Sequence, residues 1–236
     1  MKKIFIFLAI LFLVSISSIQ IIKANKKTIL NSFNEYRPFL LDNGGGKECL
    51  EKLNQAGVKY TSLGDDVSNK ECPIYNQVKI TSFKNSYPSS KIILTCSSAI
   101  KLSNWLEETK IKSFSHLGTL NCRKRRLSGI QSEHSYGIAI DISKIDQAVI
   151  KRDWGKNTPS GLKLANAAEV ACKHFSNILT PDSNKLHHDH FHLDNGLGIG
   201  CGTEKLRSLI MITTSLTYII TIIVICTIYC ISKNFT

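Results

Sequence analysis

The chain lacks three things that would have named a common function. It has no C-x2-C pair, no convincing phosphate-cradling glycine loop and no internal repeat in its 236 residues. The first absence argues against a zinc-ribbon type of structural site. The second argues against a nucleotide-binding enzyme, since Gly196-x-Gly198-x-Gly200 is too sparse to serve as such a loop. The third leaves one non-repetitive fold. Charge is missing as well from two stretches, residues 4–22 and 208–232.

Those uncharged stretches set the domain organisation. Nineteen helical residues rise about 28 Å and twenty-five about 37 Å, so either stretch has the length to cross a bilayer. Met1-Lys2-Lys3 followed by an apolar run reads as a signal peptide over residues 1–24 or as an uncleaved signal-anchor. Residues 208–232 read as a transmembrane helix, followed by Lys233. The flanking lysines favour cytoplasmic ends and an exported central domain on the periplasmic side of the cell membrane. Residues 25–46 end in Asp42-Asn43-Gly44-Gly45-Gly46 and read as a linker. The globular domain is then 47–203, a length suited to one core.

Cysteine usage fits export. Cys226 and Cys230 lie within the C-terminal run, leaving Cys49, Cys72, Cys96, Cys122, Cys172 and Cys201. An even, widely spaced set in an exported domain points to disulfides, with pairing left open among fifteen arrangements. Acidic residues are few: 18 against 30 basic ones, a formal charge of +12. The lysines are scattered, and only Arg123-Lys124-Arg125-Arg126 forms a block. Such a surface is either solvated or suited to an anionic polymer.

Within the domain, Glu48–Ala56 reads as a helix, Val58–Thr61 as a strand and Gly64-Asp65-Asp66 as a turn. Val78–Thr81, Ile92–Thr95 and Ile138–Ile142 alternate or cluster as strands. Helices are expected over 98–110, capped by Ser97 or Ser98, and over 161–179, whose apolar residues from Leu164 to Leu179 recur at three- and four-residue steps. Phe191–Leu193 reads as a further strand. The fold class is therefore α+β.

Five of the seven histidines fall in two segments, Ser132–Asp141 and His187–Asp194. Imidazole and carboxylate suit Zn²⁺, and a hydrolytic zinc takes three protein ligands with one position for water. His134 and Asp141 come from the first segment, with Gly137 between them to permit a bend. His187, His188, Asp189, His190, His192 and Asp194 come from the second. Phe191 and Leu193 alternate with His190 and His192, so a strand turns both histidines one way and the apolar pair into the core. His116 and His174 are read as structural.

S-E-H-x-x-G-x-A-x-D followed by H-x-D-H-F-H-L-D resembles the extensin-like C-terminal domain family of bacterial proteins. The resemblance runs from about Cys49 to Cys201 through Cys72-Pro73-Ile74, Leu94-Thr95-Cys96, Trp105, Cys122-Arg123, Asp153-Trp154, Ala171-Cys172 and Pro181-Asp182. That family is similar in its motifs to the zinc peptidases grouped with D-alanyl-D-alanine peptidases, hedgehog domains and murein endopeptidases. The resemblance implies a small antiparallel sheet with flanking helices and zinc on one face. His134, Asp141 and His192 match the zinc ligands. His187 and His190 match additional active-site histidines, and Asp189 matches a general base that is a glutamate in the dipeptidase branch. The base is thus open between Asp189 and His190. Arg123 resembles an arginine that steadies developing negative charge.

In function, the resemblance implies a membrane-anchored zinc metallopeptidase that hydrolyses D-amino-acid-containing peptide bonds in peptidoglycan. Its partners are the wall polymer and the membrane, not nucleic acid. One alternative is a wall-binding module with the same fold and no turnover; a second is a nuclease or phosphatase built on the histidine cluster and the basic block. The C-terminal run and Tyr136 depart from the family pattern.

Overall fold

The computed structural model describes residues 46–126 and 128–197. The two apolar runs, the expected linker up to residue 45 and Cys201 lie outside the described residues. Among those described, no helix is long and apolar enough to cross a membrane.

The domain opens with α1 (Gly46–Gln55), which buries Cys49 and Leu53 and begins one residue inside the expected linker. A first sheet follows in the order β1-β2-β4, all antiparallel: β1 (Lys59–Asp66), β2 (Ile74–Ser82) and β4 (Ile92–Thr95). The turn expected at Gly64-Asp65-Asp66 is instead absorbed into β1 as register shifts around Gly64, which sits at φ +73°. A glycine there takes the left-handed conformation at no steric cost, so the strand bends without ending.

Between these strands lies β3 (Tyr87–Pro88), and after them come α2 (Cys96–Thr109) and β5 (Ser113–Gly118). The cap of α2 is Thr95, whose side chain accepts from the Ser98 amide, two or three residues ahead of the caps expected from sequence. A 3₁₀ turn, Glu133–Tyr136, leads into β6 (Ala139–Ile145), then β7 (Ala148–Val149), α3 (Ile150–Asp153) and α4 (Pro159–His174). The chain closes with β8 (Asn177–Leu179), a second 3₁₀ turn at Lys185–His187, and β9 (Phe191–Asp194).

The second sheet has six strands in the order β3-β5-β6-β9-β8, with β7 beside β6. The expected α+β fold with antiparallel pairing and flanking helices is present, with two additions: there are two sheets, and β3 runs parallel to β5. The helix expected to reach residue 179 ends at His174, because Phe175 turns extended and Ile178 and Leu179 pair with Leu193 and His192. A ladder bond to β9 outweighs helical periodicity over those last residues.

One face of the second sheet builds the core. Ile140, Ile142, Phe191 and Leu193 are 1% exposed or less and share a cluster with Leu102, Trp105, Leu164 and Ala167 from α2 and α4. Trp105 donates its indole N–H to the Ala167 carbonyl at 2.9 Å, which ties the two helices together. Disulfides join Cys49 to Cys96 and Cys72 to Cys122, and Cys172 is also disulfide-bonded. The first joins α1 to the start of α2; the second fastens the arginine-bearing segment to the loop before β2.

Candidate metal centre

Strand register assembles the site. Asp141 on β6 stands directly opposite His192 on β9, so the two side chains project from the same face. Ala139 and Asp194 are opposite one another two residues along and share that face, while Ile140, Ile142, Phe191 and Leu193 occupy the other. His134 arrives from the 3₁₀ turn, which Gly137 ends at φ +65°. A Cβ on Gly137 would lie 3.2 Å from Ile74 Cγ2, and its carbonyl accepts from the Thr95 amide, so the turn is seated on the first sheet.

Three atoms converge on that face. His134 Nε2 lies 3.2 Å from His192 Nδ1 and 3.2 Å from Asp141 Oδ2. His192 Nδ1 lies 2.8 Å from Asp141 Oδ1. The opposite edge of each ring is already committed. His134 donates Nδ1–H to the Thr119 carbonyl at 2.7 Å, and His192 donates Nε2–H to Asp194 Oδ2 at 3.0 Å. Both histidines and Asp194 are buried, and Asp141 is partly so.

The electrostatics match this geometry. Burial opposes ionisation of Asp141, but His134 and His192 beside it outweigh that cost and hold the carboxyl far below the ordinary range. Burial likewise opposes charge on His192, yet Asp141 and Asp194 raise it to about 9. At neutral pH the ring is thus held as imidazolium between two carboxylates. Burial and the neighbouring histidines lower His187 to about 4, so it is neutral.

The donor set fits a small borderline cation. Once the Nδ1 proton leaves His192, the three converging atoms are all acceptors, with no N–H or O–H among them. Zinc bonds of about 2.0–2.1 Å in a tetrahedron separate ligand atoms by about 3.3 Å, close to the spacing found here. The carboxylate behind His192 fixes its tautomer in the manner usual for metal-bound histidine. Glu133, His192 and Asp194 also approach one another, within 4.8 Å. Their atoms are already engaged, however: Arg125 pairs with Glu133 through both carboxylate oxygens, and Asp194 accepts from His192, Asn177 and Gly196.

The other expected residues divide into those in the site and those outside it. His190 is 9% exposed, with Nε2 3.6 Å from Asp141 Oδ1 and Nδ1–H donated to Asp189 Oδ1 at 2.8 Å. Asp189 therefore stands behind His190 rather than in the cleft. His187 lies against both His190 and His192, with ring centroids 5.1 and 5.6 Å apart, and its Nδ1 is held by Asn184 Oδ1 at 2.8 Å. Arg123 lines the same open cleft of about 650 Å³, its backbone fixed to Ser132 and Ser135 and its side chain exposed. His188 is exposed and turned to the Lys185 carbonyl. His116 bonds Ser90, and His174 pairs with Glu108.

Sequence reasoning missed several supports. Asp194 was a possible ligand by residue type, yet it braces His192; its place two residues beyond His192 on a strand was the available signal. Asn184 caps the turn before His187, as the N-x-x-H spacing permits. The Thr119 carbonyl leaves no mark in sequence.

No curated protein and no solved structure matches the chain. The family model described as "Extensin-like protein C-terminus" matches residues 47–201, nearly all of the described domain. This chain belongs to the extensin-like C-terminal family.

Proposed function

We propose that the chain is an exported, membrane-anchored zinc peptidase that cleaves peptide bonds in peptidoglycan. The observation carrying this reading is the convergence of His134, Asp141 and His192 beside a histidine backed by a carboxylate in one open cleft.

His134, Asp141 and His192 would hold the ion. Bound there, zinc supplies polarisation of a scissile carbonyl and acidification of water. His190 is the better placed general base of the two candidates. Asp189 keeps the proton on its Nδ1, which leaves Nε2 to take a proton from the attacking water and return it to the leaving amine. Asp189 acts by holding that tautomer. His187, neutral because of burial and the neighbouring histidines, presents Nε2 as a hydrogen-bond acceptor. Arg123 offsets negative charge developing on the carbonyl oxygen.

The compartment and the substrate rest on supporting facts of a different kind. Two disulfides among the described residues suit an oxidising space outside the cytoplasm. A formal charge of +12, with Arg123 and Arg126 at the cleft, suits an anionic wall polymer. Anchoring rests on the apolar runs at 4–22 and 208–232.

Digestion of purified peptidoglycan by the full chain, read by mass spectrometry, tests the proposal. Release of defined muropeptides that stops with a chelator and with His134→Ala is the expected result. Zinc-dependent retention on sacculi without fragments would replace the peptidase with a wall-binding module.

A further inference from the structure

We infer that Asp194 is a positioning residue that sets the tautomer of His192, and that its isosteric replacement by asparagine disables the metal site more severely than its removal. The inference rests on the reading of His134, Asp141 and His192 as metal ligands.

The atoms around Asp194 differ in whether their polarity can change. Oδ1 accepts from the Gly196 backbone N–H at 2.7 Å and from Asn177 Nδ2 at 2.7 Å. Oδ2 faces His192 Nε2 at 3.0 Å, and a carboxylate has no proton to give, so the histidine donates. That fixes the proton of a neutral His192 on Nε2 and leaves the lone pair on Nδ1, the atom facing Asp141 and His134. The residue is 3% exposed, and water has little room to substitute. Gly196 permits this closeness, since a Cβ there would lie 2.9 Å from Asp194 Oδ1 and from Glu133.

An asparagine at 194 keeps the shape and breaks the polarity. The Gly196 N–H that Oδ1 accepts belongs to the backbone and cannot reverse its polarity. The new amide oxygen must stay on the Gly196 side, so the NH₂ points at His192 Nε2. Two donors cannot face one another, and His192 answers by carrying its proton on Nδ1. The ligand atom is then occupied, and the ring presents N–H where the cation should bind. Alanine removes the partner without imposing the wrong tautomer. The same logic governs the carboxylate of a serine-protease triad, where an amide substitution leaves the geometry intact and inverts the histidine.

The test is titration of the metal-free full chain with Co²⁺, followed by its visible absorption, alongside nitrogen NMR of the His192 ring in the zinc-free protein at a pH high enough to leave that ring neutral. Loss of a partner outside the ligand set ordinarily weakens metal binding by about 10–100-fold. Asp194→Ala should fall near about 10-fold, and Asp194→Asn at about 100-fold or beyond. Near-ultraviolet circular dichroism should show both variants folded, and the nitrogen spectrum of Asp194→Asn should place the proton on Nδ1. If the unaltered chain binds no Co²⁺, the metal reading itself is wrong. If it binds and Asp194→Asn binds as well as Asp194→Ala, with the proton still on Nε2, the positioning role is overturned and the metal reading stands.

Discussion

The two faces of the β6–β9 pair are built by opposite rules. On one, Ile140, Ile142, Phe191 and Leu193 lie at 1% exposure or less against the helices. On the other, His192 and Asp194 are almost as buried, yet all their partners are polar. Burial of each large apolar side chain contributes about 1.5–3 kcal/mol, so the first face explains why the sheet exists. Burying carboxylates and imidazoles carries a desolvation cost that their pairing must offset, so the second face adds less stability than the first. The alternation of a single strand serves both: a one-residue slip would exchange them and destroy both.

The largest expected effect breaks the first face alone. Phe191→Ala should remove about 3–5 kcal/mol of unfolding free energy in urea, with or without zinc. Equal loss in both conditions would show that the core face is independent of the metal.

The next effect belongs to the second face. Zinc at a thousand times its dissociation constant should stabilise the unaltered chain by about 4 kcal/mol. His134→Ala should abolish that gain in a thermal melt while the metal-free melting temperature moves little. A zinc-dependent rise that survives in His134→Ala would place the ion elsewhere.

A pH series separates the faces more finely. His192 is raised from an ordinary 6.5 to about 9, so its contribution to metal-free stability is complete below pH 6.5 and is lost as pH rises through about 9. Zinc must displace that Nδ1 proton, so its apparent affinity should climb up to about tenfold per pH unit between pH 7 and 9. Calorimetry in buffers of different ionisation enthalpy should record about one proton released per zinc at pH 7. The two trends have opposite signs; parallel trends would contradict the paired-carboxylate picture of His192.

The smallest effect is a control on histidine number. His188→Ala removes a histidine of the same segment that faces solvent, and it should change stability by less than about 0.5 kcal/mol. Its zinc affinity should match that of the unaltered chain. A marked loss would mean that the cluster binds metal by density of imidazoles rather than by the face they occupy.

Much of this division was legible in the sequence, because side-chain alternation in Phe191-His192-Leu193 states it outright. The α+β class and helices α2 and α4 followed from periodicity for the same reason. Strand β5 was not legible: its apolar Phe114 and Leu117 stand three residues apart, so no two-residue apolar alternation marks it, and Leu117 is 60% exposed while Phe114 is buried. Ile178 and Leu179 continued the helical pattern of α4, and only pairing with β9 reveals them as strand. The disulfide partners depend on tertiary proximity, which spacing does not encode. At the site, residue types nominated the donors, whereas the choice of His190 over Asp189 needed the 2.8 Å bond between them. The Arg125–Glu133 pair, which removes Glu133 from the ligand pool, was equally invisible.

Anomalous diffraction at the zinc absorption edge, on crystals of the full chain grown with zinc, would locate the ion itself. One strong peak is expected, bonded to His134 Nε2, His192 Nδ1 and a carboxylate oxygen of Asp141, with Asp194 still bonded to His192 Nε2. A peak at His187 and His188 instead, or none within the cleft, would show that these three residues are not a metal centre.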